Sequence, residues 1–115
     1  MTNFHSSEAQ EQVTIIQYCD LKKIPIYAIA NGGFRNVIEA RNLKLQGVKS
    51  GVPDMCIPLA KKGYHGLYIE LKVGKNKPSI NQQIWLNLLA DNGYKAEVCY
   101  GAGQAIDLIE WYIKE

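Results

Sequence analysis

Two segments decide how this chain is read: Gly51-Val52-Pro53-Asp54-Met55-Cys56-Ile57-Pro58-Leu59 and, across the turn Lys61-Lys62-Gly63-Tyr64-His65-Gly66, Leu67-Tyr68-Ile69-Glu70-Leu71-Lys72-Val73. In the second, Leu67, Ile69, Leu71 and Val73 alternate with Tyr68, Glu70 and Lys72, the period of a strand with one apolar face. In the first, Met55, Ile57 and Leu59 alternate with Asp54, Cys56 and Pro58, and the proline predicts an edge, a bulge or an early end. The turn folds the second strand back along the first. Residues two apart in a strand share a face, so Glu70 and Lys72 project side by side, and the hairpin carries them towards Asp54.

That patch holds two carboxylates and one ammonium. Two hard anionic oxygens close together are what Mg²⁺ takes; without a cation they repel, and one tends to keep its proton. A Glu-x-Lys pair alone marks no more than a solvated strand face, so the surrounding sequence has to decide.

Towards the N-terminus, Ser7 and Gln10 form a capping box, and Ala9, Val13 and Ile16 recur at helical spacing, predicting a helix to about Lys22. Ile24 to Ala30 reads as a strand with Pro25 near its start, broken by Asn31-Gly32-Gly33. Val37 to Gln46 reads as a helix ending at Gly47. Pro78-Ser79 opens a second long helix, with Ile80, Ile84, Trp85 and Leu88 as its buried stripe, Trp85 in the core, and Gly93 closing it. Tyr94 to Tyr100 is the last strand. Gly101-Ala102-Gly103 reads as a tight strand-to-helix turn, and Ala105, Leu108, Ile109 and Tyr112 mark a terminal helix. The order α-β-α-β-β-α-β-α predicts an α/β fold with one mixed sheet covered by helices.

The 115 residues fit a single domain, 1–115. No apolar run approaches the ~20 residues that span a bilayer. No basic stretch followed by an apolar one opens the chain, so the expected location is the cytoplasm. Cys19, Cys56 and Cys99 are scattered in apolar stretches, which predicts buried free thiols rather than a disulfide framework or a metal knuckle. His5 and His65 have no partner at metal-ligand spacing and read as surface residues. The net charge of +2 says little about nucleic acid, because phosphate binding depends on where charge lies. Local clusters matter more: Lys22-Lys23, Lys61-Lys62, and Lys72 with Lys75 and Lys77.

Taken in order, Ser7-Glu8-Ala9-Gln10-Glu11-Gln12, Asn31-Gly32-Gly33, Gly47-Val48-Lys49-Ser50-Gly51-Val52-Pro53-Asp54, Glu70-Leu71-Lys72 and Ser79-Ile80-Asn81-Gln82-Gln83-Ile84-Trp85 resemble the VRR-NUC domain. This is a branch of the PD-(D/E)XK nucleases found in phage proteins and DNA-repair enzymes. The resemblance covers nearly the whole chain, which looks like a stand-alone, phage-type member. It implies a restriction-endonuclease-like core and a Mg²⁺-dependent endonuclease that hydrolyses DNA phosphodiesters, with Mn²⁺ as a substitute metal.

The resemblance also implies roles. Asp54 and Glu70 would be metal ligands, with the backbone carbonyl of Leu71 as a third. Lys72 would orient or activate the attacking water. Glu8 matches the helix acid that completes the metal pocket, directly or through water. Gln82, also a capping residue, falls at the edge of the active site. Glu11 is expected to be solvated, whereas Gln12, one turn beyond Glu8, is a candidate to line the pocket. Arg35, Lys49, Lys75 and Lys77 are candidates to hold the DNA backbone.

The expected substrate is branched or Holliday-junction DNA, cut by a homodimer to leave a 5′-phosphate and a 3′-hydroxyl. Trp111, Tyr112 and Ile113 are candidates for the dimer interface or for burial within one copy. The alternatives are a restriction- or nicking-type nuclease on duplex DNA and a non-catalytic DNA-binding module. The intact Asp54, Glu70 and Lys72 set argues against the last.

Overall fold

The computed structural model describes residues 7–30 and 36–115. The elements run α1 (Glu8–Leu21), β1 (Tyr27–Ala28), α2 (Val37–Leu45), β2 (Met55–Ile57), β3 (Leu67–Lys72), α3 (Ile80–Asp91), β4 (Lys95–Tyr100) and α4 (Gly101–Ile113), the expected order. The break at Asn31-Gly32-Gly33 lies outside the described residues.

Both capping boxes form. Gln10 N–H donates to Ser7 Oγ (3.1 Å) and Ser7 N–H to Gln10 Oε1 (2.9 Å). The Ser79–Gln82 pair does the same at 3.2 and 2.8 Å. Each satisfies helix N-terminal donors that lack an intrahelical acceptor.

The described strands form one mixed sheet in the order β1-β2-β3-β4. β1/β2 and β2/β3 are antiparallel, with Met55 opposite Ile69 and Ile57 opposite Leu67. β3/β4 are parallel, with Glu70 beside Val98 and Lys72 beside Tyr100. A parallel neighbour requires a crossover, and α3 is that crossover. Met55, Ile57, Leu67, Ile69 and Leu71 point to one face and are buried with Ile15 and Cys19 of α1 and Ala102, Ala105, Ile109 and Tyr112 of α4. Fully burying side chains such as Leu67, Ile69 and Leu71 contributes roughly 1.5–3 kcal/mol each. The Tyr112 hydroxyl donates to the Leu59 carbonyl at 2.6 Å, which lets a polar group sit in this core. All three cysteines are buried free thiols.

Several expectations are corrected. β1 covers only Tyr27–Ala28 rather than 24–30, because Pro25 offers no N–H to a ladder and β2, ending before Pro58, is itself only three residues long. In α1 the buried positions are Ile15 and Cys19; Ala9 is exposed, Val13 is 54% exposed and Ile16 half-buried. In α3 the expected buried stripe is turned outward: Ile80, Ile84 and Leu88 are 77%, 57% and 48% exposed, Trp85 is half-buried, and Leu89 is the buried residue. Helical periodicity identifies an apolar face without saying what covers it. α2 buries none of its residues and leaves Val37, Ile38 and Leu45 exposed. Among the described residues no helix is long and apolar enough to cross a membrane.

Candidate active site

Because β2 and β3 are antiparallel, the start of β2 and the end of β3 lie at the same end of the sheet. Gly51, at φ +93°, opens the loop that enters β2. A Cβ there would lie 2.7 Å from the Asn81 carbonyl carbon, so the first turn of α3 rests directly on this loop and only glycine fits. Pro53 is buried. Asp54 is then held from two sides. Its carbonyl accepts from Ile29 N–H at 2.8 Å, and its Oδ2 accepts from Leu71 N–H at 2.7 Å.

Glu70 lies on the face of β3 opposite Ile69 and Leu71, yet it is 1% exposed, so it is not the solvated residue of an ordinary strand face. Its Oε2 lies 3.5 Å from Lys72 Nζ, whose side chain is itself largely buried. No donor among the described residues reaches the buried Oε1. Burial pushes the Glu70 carboxyl up to about 8; the neighbouring Asp54 charge pushes the same way, and Lys72 pulls it back. Glu8, in the first turn of α1, is also raised, first by burial, then by Asp54, and is lowered by Lys72. The loop before β2 and β3 bring Asp54, Glu70 and Lys72 together, and Glu8, from the first turn of α1, lies within the electrostatic reach of Asp54 and Lys72.

The other expected residues divide. Gln82 is half-buried, with its Oε1 taken by Ser79 N–H, and the Gly51–Asn81 contact puts its helix turn beside the Asp54 loop. Leu71 buries its side chain and gives its N–H to Asp54. Lys49, in the loop before β2, and Lys75 and Lys77, after β3, are exposed at this same end of the sheet. Arg35 and His5 lie outside the described residues. Gln12 lines a depression of about 400 Å³ with Ala9, Val13, Ile16 and Gln17, which Asp54, Glu70 and Lys72 do not line. His65 is exposed and packs edge-on against Tyr94. Tyr112 is fully buried, Ile113 half-buried and Trp111 45% exposed, so the C-terminal trio offers only part of itself to a partner.

Glu11 contradicts its expected role. Its Oε1 accepts the Ala102 N–H at 2.8 Å, capping α4 from another helix. The helix's own N-cap, Tyr100, makes no side-chain cap. The sequence held a signal for this: Gly101-Ala102-Gly103 opens a helix with no Ser, Thr, Asp or Asn before it, so the acceptor had to come from elsewhere.

A mixed sheet flanked by helices, with a Pro-Asp loop and a Glu-x-Lys strand meeting at one end, defines a fold of the PD-(D/E)XK nuclease class. The VRR-NUC domain model matches residues 4–103. A solved structure described as a VRR_NUC domain protein superposes with a TM-score of 0.80 at 29% identity, over 96% of this chain and 91% of that one. A comparison with curated proteins finds no match. The chain belongs to the VRR-NUC domain family, and a nuclease-type, DNA-processing function follows at the level of that family.

Proposed function

We propose that this chain is a metal-dependent DNA endonuclease with Glu8, Asp54, Glu70 and Lys72 at its chemical centre. The observation that carries this reading is the Glu70 Oε1, buried without a donor beside the Asp54 carboxyl. A buried carboxylate oxygen left unsatisfied is costly, and a proton or a cation relieves it. Among the described residues no three or more His, Cys, Asp or Glu side chains form a ready-made metal cage. The donors available at this end of the sheet are hard oxygens, which fit Mg²⁺ or Mn²⁺ rather than a soft-ligand metal. Asp54 and Glu70 would hold the ion, with the Leu71 carbonyl as a third ligand and Glu8 completing the pocket directly or through water.

When bound, the dication supplies charge to polarise the scissile phosphate and acidify a water. Lys72, already paired with Glu70, orients that water and offsets the charge developing on phosphorus. Gln82, with its Oε1 committed to the cap, has its NH₂ left for a phosphate oxygen. Lys49, Lys75 and Lys77, with Arg35, hold the backbone around the scissile bond. The products carry a 5′-phosphate and a 3′-hydroxyl.

The substrate we infer is branched or four-way DNA, cut by a homodimer. One copy carries one such site, and opposing cuts in a two-fold junction call for two sites related by symmetry. The outward-facing Ile80, Ile84 and Leu88, and Val37, Ile38 and Leu45 of α2, supply apolar surface for pairing. The test is a panel of labelled duplex, flap, fork and four-way DNAs incubated with Mg²⁺, with light scattering on the same sample. A dimer that prefers branched DNA supports the reading. A monomer that cuts duplex and junction equally favours a restriction- or nicking-type nuclease, and binding without cleavage of any substrate makes it a DNA-binding module.

A further inference from the structure

We infer that Glu11 is a positioning residue: by capping α4 it fixes the rotation and height of α1, and so sets where Glu8 stands relative to Asp54 and Lys72. The inference rests on the proposed function, because it takes Glu8 to be part of the site. One hydrogen bond joins α1 to α4 across nearly the whole length of the chain. Glu11 Oε1 accepts the Ala102 N–H at 2.8 Å, and Ala102 is buried. Gly101, at φ +87°, brings its backbone so close that a Cβ there would lie 3.3 Å from the same oxygen.

This anchor is tied to the site through two elements. In the sheet, Tyr100 is the register partner of Lys72, and the chain passes from Tyr100 through Gly101 to Ala102 in the first turn of α4. In α1, Glu8 lies three residues before Glu11, on the neighbouring turn, where it feels both Asp54 and Lys72. Glu11 thus clamps α1 to the backbone that continues from the strand beside Lys72. An acidic side chain suits this place electrostatically, since a helix N-terminus carries about half a positive charge. The buried α1 residues Ile15 and Cys19 make apolar contacts that begin a full turn further along, and the other polar tie between α1 and α4, from the Tyr18 hydroxyl to the Glu110 carboxylate, lies about two turns further from Glu8. Dispersion contacts are not directional and the Tyr18–Glu110 bond holds the far end of α1, so among these contacts the charge-assisted bond from Glu11 is the directional tie beside Glu8 and sets the helix's register there.

The experiment compares Glu11→Gln, which keeps an oxygen acceptor, with Glu11→Ala, and uses Glu8→Ala as the reference for a lost site acid. Two readouts are taken well below each variant's melting temperature: Mn²⁺ affinity of the DNA-free protein, by electron paramagnetic resonance titration, and the Mg²⁺-dependent cleavage rate. Glu11→Ala is expected to weaken Mn²⁺ binding and cleavage together by about 10-fold or more, the usual effect of losing a group that orients a ligand. Glu11→Gln is expected to stay within about 3-fold of wild type, half a decade on a scale where orienting groups cost a decade or more. If Glu11→Ala does not fold, Glu11→Asp, one methylene too short for the Ala102 amide, takes its place with the same expectation.

A Glu11→Ala or Glu11→Asp protein that melts lower yet binds Mn²⁺ like wild type makes the cap merely structural and overturns the inference. A wild-type protein that binds Mn²⁺ but cleaves no DNA removes the proposed function instead, and the affinity ratio still decides the role of Glu11.

Discussion

The Asp54 carboxylate accepts a 2.7 Å hydrogen bond from the backbone N–H of Leu71, the residue between Glu70 and Lys72. The loop that delivers one acid is thereby registered on the strand that delivers the other acid and the ammonium. Asp54→Asn keeps an oxygen for that amide and should fold with near-normal stability, while losing cleavage with the charge. Asp54→Ala also orphans the Leu71 N–H, and should lose about 1–3 kcal/mol of stability in addition. Urea denaturation of the two variants beside wild type, with a cleavage assay on each, separates the two contributions.

Glu70 predicts an unusual pH dependence for the metal-free protein. Its carboxyl rises from 4.5 to about 8 on folding, mainly through burial and then through Asp54. The folded state therefore holds the proton more tightly than the unfolded state. The stability tied to the neutral acid is fully present below pH ~4.5 and drains away as pH rises towards ~8, by a few kcal/mol. Glu70→Gln should remove most of this slope and be more stable than wild type at pH 8, while cutting no DNA. Mg²⁺ should restore stability to wild type at pH 8, because it binds the folded state, and should do nothing for Glu70→Gln. A flat wild-type profile between pH 5 and pH 8 in chelator would contradict the burial argument.

Gly51 fixes the distance between the Asp54 loop and α3. At φ +93°, with the Asn81 backbone 2.7 Å from any Cβ, Gly51→Ala is strained in both backbone and packing. It should cost roughly 2 kcal/mol or more and lower cleavage even where the protein remains folded. Gly103→Ala, in open space inside α4, is the matched control and should be neutral or slightly stabilising.

Metal choice follows from the donors. Cleavage should run with Mg²⁺ or Mn²⁺, stop in excess EDTA and be weak with Ca²⁺, whose larger and looser shell supports binding without placing the water well. Cleavage rates across the three ions, with DNA binding measured in Ca²⁺, check this. Full activity in EDTA, with no metal detected in the protein, would end the metal-dependent reading.

The order of the eight elements among the described residues, and the residues at the end of the sheet, were legible in the sequence, because strand alternation, capping boxes and the Pro-Asp and Glu-x-Lys patterns are local signals. What it hid was non-local. The stripe Ile80-Ile84-Leu88 has a core-like period, yet α3 turns Leu89 inward instead. Glu11 looked solvated because its partner, Ala102, is distant in sequence and is a backbone amide, which leaves no mark in residue type. The burial of Glu70 was equally hidden, since alternation placed it on the face away from Ile69 without telling that this face is also covered.

Cleavage at this site is measured by incubating one labelled four-way DNA with Mg²⁺ and wild-type, Glu70→Gln or Lys72→Ala protein, each shown to be folded and free of contaminating nuclease. Wild type should yield fragments with 5′-phosphate ends. Both variants should lose about 100-fold or more, beyond the 10–100-fold typical of groups that only orient a ligand. Wild-type-like cutting by folded Glu70→Gln would contradict the account.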